Sequence, residues 1–341
     1  MSVDFYSVEP TLENYWRGVI LFGKNSASYK FALAKSLLEM SERKSDFISL
    51  EELAEPFSRH TAEHLKSGRK QITRQSSPFI DACKKFNSDE FTQDELIQIT
   101  AKEGFKVVLD KFHNLNSSEI PQRFFIDERK GSRKGIRLND NLFKLLELKS
   151  AENLSPEVEA RWQLVETAWE LDISRDLIAV KHDSETEKFF VSHQNRRINV
   201  TSSRDALNGY QKSKCFYCYD YVSVISGSLF LADVDHFFPH LLKPVVTNCN
   251  LDGVWNLVLS CVDCNRSSGK WSKIPSLNLV NRLNLRNEYL ISSNHPLKET
   301  IIRQTGKTPK DRAKFLQRVI DDSSSLGRPS WEPEPKGPAT F

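Results

Sequence analysis

The sequence has no apolar run of about 18 residues, the length that a transmembrane helix needs. The start of the chain lacks the basic and apolar segments of a secretory signal, and no internal repeat is visible. These absences exclude membrane-spanning proteins and repeat proteins. We therefore expect a soluble, cytoplasmic protein with no membrane partner.

Charge is the next feature, and its total is uninformative because the net charge is only +3 over 341 residues. Its distribution is uneven. Residues 276–320 contain nine Lys and Arg against three Asp and Glu, and five of the nine residues from Arg129 to Arg137 are basic. Such local excess is typical of surfaces that bind phosphate backbones, although a solvated helix face has the same composition.

Residues 1–200 are predicted to be mainly helical. Two capping boxes indicate helix starts, Ser49 with Glu52 and Thr92 with Glu95, and Ser155-Pro156 indicates a third start. The tryptophans that follow fall on one helix face, which favours a core position over a dimer seam. The basic segment 129–137 is punctuated by glycine and has no Walker pattern, so we expect a hairpin rather than a nucleotide site.

Four of the six cysteines stand in two Cys-x-x-Cys pairs. The pairs are Cys215 with Cys218 and Cys261 with Cys264. Two such turns can close a four-sulfur zinc site with no open position, which is a structural site. Disulfides or a redox dithiol are the alternatives, but disulfides do not persist in a reducing cytosol. We expect the other two, Cys83 and Cys249, to be buried free thiols.

A set of polar residues lies between and beside these pairs. Asp235 directly precedes His236, and Asn265 directly follows Cys264. Carboxylate and amide oxygens suit a hard cation such as magnesium. His236 could then take a proton from a water aimed at a phosphodiester.

With these residues in place, the segment resembles an HNH nuclease, the ββα-metal fold, in its form with four zinc-binding cysteines. The runs Asp235-His236-x-x-Pro239 and Asn265-Arg-x-x-x-Lys270 are also similar to the HNH domain of CRISPR effector nucleases. The resemblance covers roughly residues 204–305. It implies a strand that ends at the Asp-His pair, followed by a loop and then a helix that carries the last Asn.

The resemblance also implies a role for each matching residue. Asp235 and Asn265 would bind a catalytic magnesium or manganese ion, and His236 would be the general base. Asn256 would hold the loop that presents this base, and Lys270 would face a phosphate. Asn265 stands where some members have His, which favours magnesium or manganese over a catalytic zinc.

Two further polar residues near the motif have plainer interpretations. We expect His240 to be a solvated loop histidine, although it could instead touch the scissile phosphate. We expect Asp233 to be a surface charge, with a supporting role behind Asp235 on the same strand face as the alternative. For nucleic-acid binding the sequence suggests six basic residues: Lys270, Arg266, Arg282, Arg286, Arg133 and Lys134.

The predicted fold class is α+β, with a mainly helical N-terminal half followed by a ββα-metal HNH domain. The expected divisions are a helical domain at 1–200, the nuclease domain at 201–305, a basic helix at 306–320 and a disordered tail at 321–341. The helical domain would serve targeting, regulation or assembly, through a homodimer or a partner protein.

The predicted function is metal-dependent hydrolysis of DNA phosphodiesters, with zinc as a structural ion and magnesium or manganese as a catalytic one. By analogy, such an enzyme serves restriction or defence against phage. The alternatives are a non-catalytic zinc-knuckle module that binds nucleic acid, and a mobile-element or homing nuclease. RNA is a possible substrate in place of DNA.

Overall fold

Thirteen α-helices and twelve short strands form within the part of the chain that the structure describes. This computed structural model describes residues 5, 9–23, 26–43, 45–73, 76–115, 118–170, 180–193, 196–266, 269–292 and 297–340. The helices are α1 (Leu12–Phe22), α2 (Tyr29–Met40), α3 (Leu50–Lys66), α4 (Pro78–Asn87), α5 (Gln93–Ile99), α6 (Val108–Lys111), α7 (Asp140–Leu146), α8 (Leu154–Glu170), α9 (Ser203–Gln211), α10 (Val262–Asn265), α11 (Leu277–Ser292), α12 (Lys298–Thr305) and α13 (Pro309–Ser324). None of these helices has the length and apolar character that crossing a membrane requires.

The strands are short and belong to several small sheets. They are β1 (Phe47–Ser49), β2 (Asn114–Leu115), β3 (Ser118–Glu119), β4 (Phe125–Asp127), β5 (Gly135–Leu138), β6 (Val180–Asp183), β7 (Lys188–His193), β8 (Arg196–Ser202), β9 (Asp233–His236), β10 (Leu257–Ser260), β11 (Ile274–Pro275) and β12 (Ser330–Trp331). Helices combined with separate small sheets confirm the α+β class.

The chain divides into two units, and the division falls within α8. One unit contains Pro10–Ala151 and Arg161–Ile173, and the other contains Met1–Glu9, Glu152–Ala160 and Ser174–Phe341. The second unit therefore begins before the predicted boundary at residue 200. The reason is that β6, β7 and β8 form one antiparallel sheet, and β7 and β8 pack against α9.

The first unit holds α1 to α7, a three-stranded antiparallel sheet in the order β1-β5-β4, and the β2–β3 pair. Both predicted capping boxes are confirmed, at the starts of α3 and α5. In its core the Phe57 ring lies 5.1 Å from the Phe79 ring and 4.8 Å from the Phe105 ring. Trp162 of α8 is fully buried, as predicted, although α8 begins at Leu154, one residue before the predicted cap.

The basic segment of the first unit forms the predicted hairpin, because β4 and β5 pair antiparallel. Much of its charge is neutralised within the unit. Arg129 lies 2.6 Å from Asp127, and Arg137 lies 2.8 Å from Glu128. Arg133 and Lys134 are exposed at its turn, so only part of the segment can meet an external phosphate.

The second unit places β9 antiparallel to β10, and α10 follows β10 almost at once. His236 pairs with Leu257 and Asp233 pairs with Ser260 in this ladder. The predicted strand that ends at the Asp-His pair and the helix that carries Asn265 are both present. Ser202 caps α9 and Thr308 caps α13.

Residues 321–340 differ from the disordered tail predicted for 321–341. Helix α13 continues to Ser324, and β12 pairs in parallel with β11. Trp331 packs edge-on at 5.2 Å from the Tyr217 ring, and the Lys336 amide donates to the Cys218 carbonyl at 2.7 Å. An aromatic contact and backbone hydrogen bonds order this segment despite its Ser, Pro and Gly content.

Candidate functional site

The four paired cysteines come together in the second unit. Their sulfurs all lie within 4.8 Å of one another, and the Cys218 and Cys261 sulfurs are 3.8 Å apart. A tetrahedral zinc ion with bonds of about 2.3 Å separates its sulfur ligands by roughly 3.8 Å. Cys215, Cys218, Cys261 and Cys264 can therefore hold a structural metal such as zinc. Cys83 is buried and Cys249 is half-buried, and neither belongs to this cluster.

The cysteine cluster fixes the position of α10 and of the residues that follow it. Cys261 is the N-cap of α10, and its carbonyl accepts the Asn265 amide at 3.1 Å. The Cys264 carbonyl accepts the Lys270 amide at 2.7 Å. A Cβ atom at Gly269 would lie 2.3 Å from the carbonyl oxygens of Asp263 and Cys264, so only glycine allows this close return of the chain.

Asp235 lies at the centre of a buried polar network. Its Oδ2 accepts a hydrogen bond from the Tyr217 hydroxyl at 2.5 Å and lies 3.1 Å from Lys270 Nζ. Burial raises the pKa of the Asp235 carboxyl, while the charge of Lys270 lowers it. One carboxylate oxygen is thus committed to two neighbours within the protein.

Asn265 lies over the strand face that carries Asp235. Its Nδ2 donates to Asp233 Oδ2 at 3.0 Å, and Asp233 and Asp235 share one face of β9 because side chains alternate along a strand. Arg266 Nε also donates to Asp233 Oδ2, at 3.3 Å. Asp233 therefore positions Asn265, which agrees with the supporting role that the sequence left open rather than with the surface charge that it favoured.

His236 is buried and lies in a cluster with two other titratable side chains. Its Nδ1 lies 3.1 Å from His240 Nε2, and its Nε2 lies 3.6 Å from Asp252 Oδ1. His240 Nδ1 is 3.4 Å from the same carboxylate oxygen. The His240 side chain is 48% exposed, so it meets solvent as expected, but it is held beside His236 rather than free in a loop.

Sequence reasoning missed Asp252 and His182. Asp252 reaches the cluster from the loop before Asn256, and the His182 ring on β6 lies 6.1 Å from the His236 ring. The pKa of His236 is lowered to about 3, mainly by burial and also by the nearby His240, while Asp252 opposes the change. No spacing rule links a loop aspartate or a distant strand histidine to the motif, so the sequence carried no signal for either.

Asn256 holds the loop that follows His236. Its Oδ1 accepts the Phe238 amide at 2.8 Å, and its Nδ2 donates to the carbonyls of Phe238 at 2.9 Å and Leu251 at 2.8 Å. The residue is fully buried. Its side chain therefore joins the two ends of the segment that presents His236, His240 and Asp252.

Three of the six basic residues suggested for nucleic-acid binding point inward. Lys270 is buried, and its Nζ donates to the His236 carbonyl at 2.8 Å. Arg282 donates to the carbonyls of Phe216 and Tyr217. Arg286 is fully buried, and burial lowers its pKa to about 9. These positions correct the sequence assignment for Lys270 and Arg286, which are buried, while half-buried Arg282 commits its Nη1 to two backbone carbonyls.

The other three basic residues are exposed. Arg266 stands beside Asn265 with its side chain 64% exposed. Arg133 and Lys134 lie at the hairpin turn of the first unit, where the Arg133 guanidinium lies 4.3 Å from the centre of the Phe47 ring. Helix α13 adds exposed Lys310, Lys314 and Arg318, which follow one another at the four-residue spacing of one helix face.

Comparisons with protein-family models, with curated proteins and with solved structures gave no match. The interpretation of this site therefore depends on its own residues, their contacts and the motif that they form.

Proposed function

We propose that the second unit is a metal-dependent endonuclease of the HNH type that hydrolyses DNA phosphodiesters. One observation carries the proposal. The Asn265 side chain is bonded to Asp233, so the last residue of the motif lies over the strand face of Asp235, next to His236 at the end of β9. Two antiparallel strands, a short helix and a cysteine cluster support this geometry.

Asp235 and Asn265 have a donor set that fits a hard divalent cation. Within the described residues, Asp235 Oδ1 and Asn265 Oδ1 receive no hydrogen bond, whereas Asp235 Oδ2 and Asn265 Nδ2 are each committed. A carboxylate and an amide oxygen suit magnesium or manganese. When bound, such an ion supplies stabilisation of the charge that develops on the phosphate oxygens.

His236 is the proposed general base. Its depressed pKa keeps the imidazole neutral at physiological pH, so that a ring nitrogen can accept a proton from water. A bound phosphate would place negative charge nearby and raise this pKa towards the range in which a base works best. Asn256 and Lys270 are positioning residues, since both bond to the backbone around His236.

Exposed cations of the second unit are the proposed contacts for the nucleic-acid backbone. Arg266 lies next to Asn265, and Lys310, Lys314 and Arg318 form a basic stripe on α13 in the same unit. Such contacts hold a duplex without reading its sequence. We propose that the first unit supplies target choice or assembly, in keeping with a role in restriction or phage defence.

The test is to incubate the purified full-length protein with plasmid DNA, with and without magnesium. We expect cutting that needs magnesium and falls about 10²–10⁴-fold in His236→Ala. Cutting at the wild-type rate by this variant would remove His236 from the mechanism. Single-stranded RNA in a parallel assay distinguishes the two nucleic-acid substrates.

A second candidate function is a non-catalytic module that binds nucleic acid. The buried contact of Lys270 with Asp235 favours it, because a structural ion pair explains both residues without any reaction. If this second function is correct, the protein should bind DNA but should not cut it, whichever divalent metal is added. Wild-type protein that binds and never cuts would establish it in place of the nuclease.

A further inference from the structure

A second group of metal-binding side chains lies in the same unit as the cysteine cluster. His236, His240 and Asp252 each offer one ligand atom, and these atoms lie within 4.8 Å of one another. Asp252 Oδ1 is 3.6 Å from His236 Nε2 and 3.4 Å from His240 Nδ1. A tetrahedral zinc ion with bonds of about 2.0–2.1 Å places such ligands roughly 3.3 Å apart. The two separations from Asp252 Oδ1 are therefore close to the edges of a zinc site, and the third lies within 4.8 Å.

The ligand atoms also lack competing partners. His236 Nε2 and Asp252 Oδ1 are buried and form no hydrogen bond with any described residue. Leaving such atoms unpaired costs free energy, and a bound cation would remove that cost. Unpaired buried atoms on two of the three side chains are a second observation, independent of the spacing, that points to a ligand.

The other carboxylate oxygen is held from outside the cluster. Lys243 Nζ donates to Asp252 Oδ2 at 2.9 Å, which turns Oδ1 towards the two imidazoles. A partner that orients a ligating carboxylate in this way is a regular feature of metal sites. Lys243 therefore prepares the site without being a ligand.

We infer that His236, His240 and Asp252 form a second transition-metal site, one that takes zinc with a coordination position left open. Two imidazoles and a carboxylate are the ligand set of three-ligand zinc sites, whereas magnesium prefers oxygen ligands alone. The site differs from the proposed magnesium site, which uses Asp235 and Asn265. His236 is a ligand of this zinc site and also the proposed general base of the magnesium-dependent reaction.

Zinc binding at this site would affect the cutting reaction, and this consequence rests on the proposed nuclease function. A neutral imidazole has one basic nitrogen, and its other nitrogen carries a proton. Once zinc binds the lone pair of the basic nitrogen, His236 cannot accept a proton from water. Zinc at this site therefore inhibits cutting, while magnesium supports it.

The binding test uses full-length protein that retains zinc in its cysteine cluster, titrated with zinc chloride by calorimetry and checked by elemental analysis. We expect a second equivalent of zinc in the wild type. His240→Ala and Asp252→Ala should each weaken binding of the second zinc by more than about 10–100-fold, which is the loss caused by removing a residue that only orients a ligand. Both variants should still bind the first equivalent of zinc. His60→Ala removes a histidine that faces Glu39 on the first unit, and it should keep both equivalents. A wild type that binds one equivalent, or an Asp252→Ala protein that still binds two, overturns the site.

The inhibition test measures, for each protein, the ratio of cutting with added zinc to cutting without it, at fixed magnesium. The wild-type ratio should fall at the zinc concentration that fills the second site, and the Asp252→Ala ratio should stay near one. Equal ratios in both proteins would overturn inhibition through this site. A wild type that binds two zinc ions and never cuts would instead refute the proposed nuclease function and leave the metal site standing.

Discussion

The Asn256 side chain forms two hydrogen bonds with the backbone of Phe238. It accepts one from the Phe238 amide and donates the other to the Phe238 carbonyl. It donates a third bond to Leu251, so three backbone groups on both sides of a loop depend on one amide. The loop between Phe238 and Leu251 carries His240, while His236 lies two residues before Phe238 and Asp252 directly follows Leu251. The geometry of the candidate site is therefore linked to the stability of the fold at this residue.

Replacing Asn256 with Ala should cost stability and activity together. Each buried backbone group left without a partner costs about 1–3 kcal/mol, so we expect the free energy of unfolding to fall by at least about 2 kcal/mol. Denaturant unfolding and the plasmid assay measure the two effects. Asn278→Ala is the matched control, because Asn278 is exposed and should change stability by less than about 0.5 kcal/mol. If the Asn256 variant unfolded at the wild-type midpoint, the loop would not need this side chain.

The cysteine cluster predicts that zinc and folding of the second unit are linked. Cys261→Ser removes one of four ligands, so zinc affinity should fall by more than the roughly 10–100-fold that removal of an outer-shell partner causes. Elemental analysis and the thermal unfolding midpoint test this prediction. Cys249→Ser changes a half-buried cysteine outside the cluster, and it should retain one zinc at this site. Folded wild-type protein without any zinc would contradict the assignment.

The contact between Lys270 and Asp235 predicts a stability coupling. Their side chains are 1% and 10% exposed, so removing one charge leaves the other buried without its partner. Lys270→Met should therefore lower the free energy of unfolding by about 3–5 kcal/mol. In the double variant Asp235→Asn/Lys270→Met no unpaired charge remains, and part of that stability should be recovered. If the double variant lost as much stability as the single variants Lys270→Met and Asp235→Asn together, the two side chains would not be coupled.

The parts of this site that the sequence predicted are those set by short spacing. Two Cys-x-x-Cys turns require neighbouring sulfurs. Elsewhere in the chain, the capping residues Ser49 and Thr92 fix helix starts within one turn. Likewise the strand that ends at His236 and the helix that contains Asn265 follow from a local motif.

The parts that the sequence could not predict depend on contacts between distant segments. Charge counting treated Lys270, Arg282 and Arg286 alike as surface cations, because composition does not distinguish a solvated charge from one bonded to buried carbonyls. Asp252 joins His236 through a loop without periodicity, so no pattern links the two. The ordered structure after residue 320 was unpredictable for the same reason, since it depends on the contact of Trp331 with the distant Tyr217.

The inward-pointing arginines change the expected location of phosphate contacts. We now expect them on α13, where Lys310 and Lys314 are exposed, while Arg312 of the same helix is tied to Glu288 at 2.5 Å. Lys310→Ala/Lys314→Ala should weaken duplex binding for all sequences alike, because phosphate contacts carry no sequence information. The log–log slope of affinity against salt should become shallower by about 0.9 for each duplex phosphate that the variant no longer neutralises.

The measurement is a binding titration at several salt concentrations for three proteins. Lys66→Ala/Lys84→Ala removes two exposed lysines from the first unit, and it controls for the change in net charge. If its slope fell as much as that of the α13 variant, the effect would be a general one of charge. If the α13 variant kept the wild-type slope, the stripe would be a solvated helix face. Phosphate contacts would then have to come from Arg266 or from the turn that carries Arg133 and Lys134.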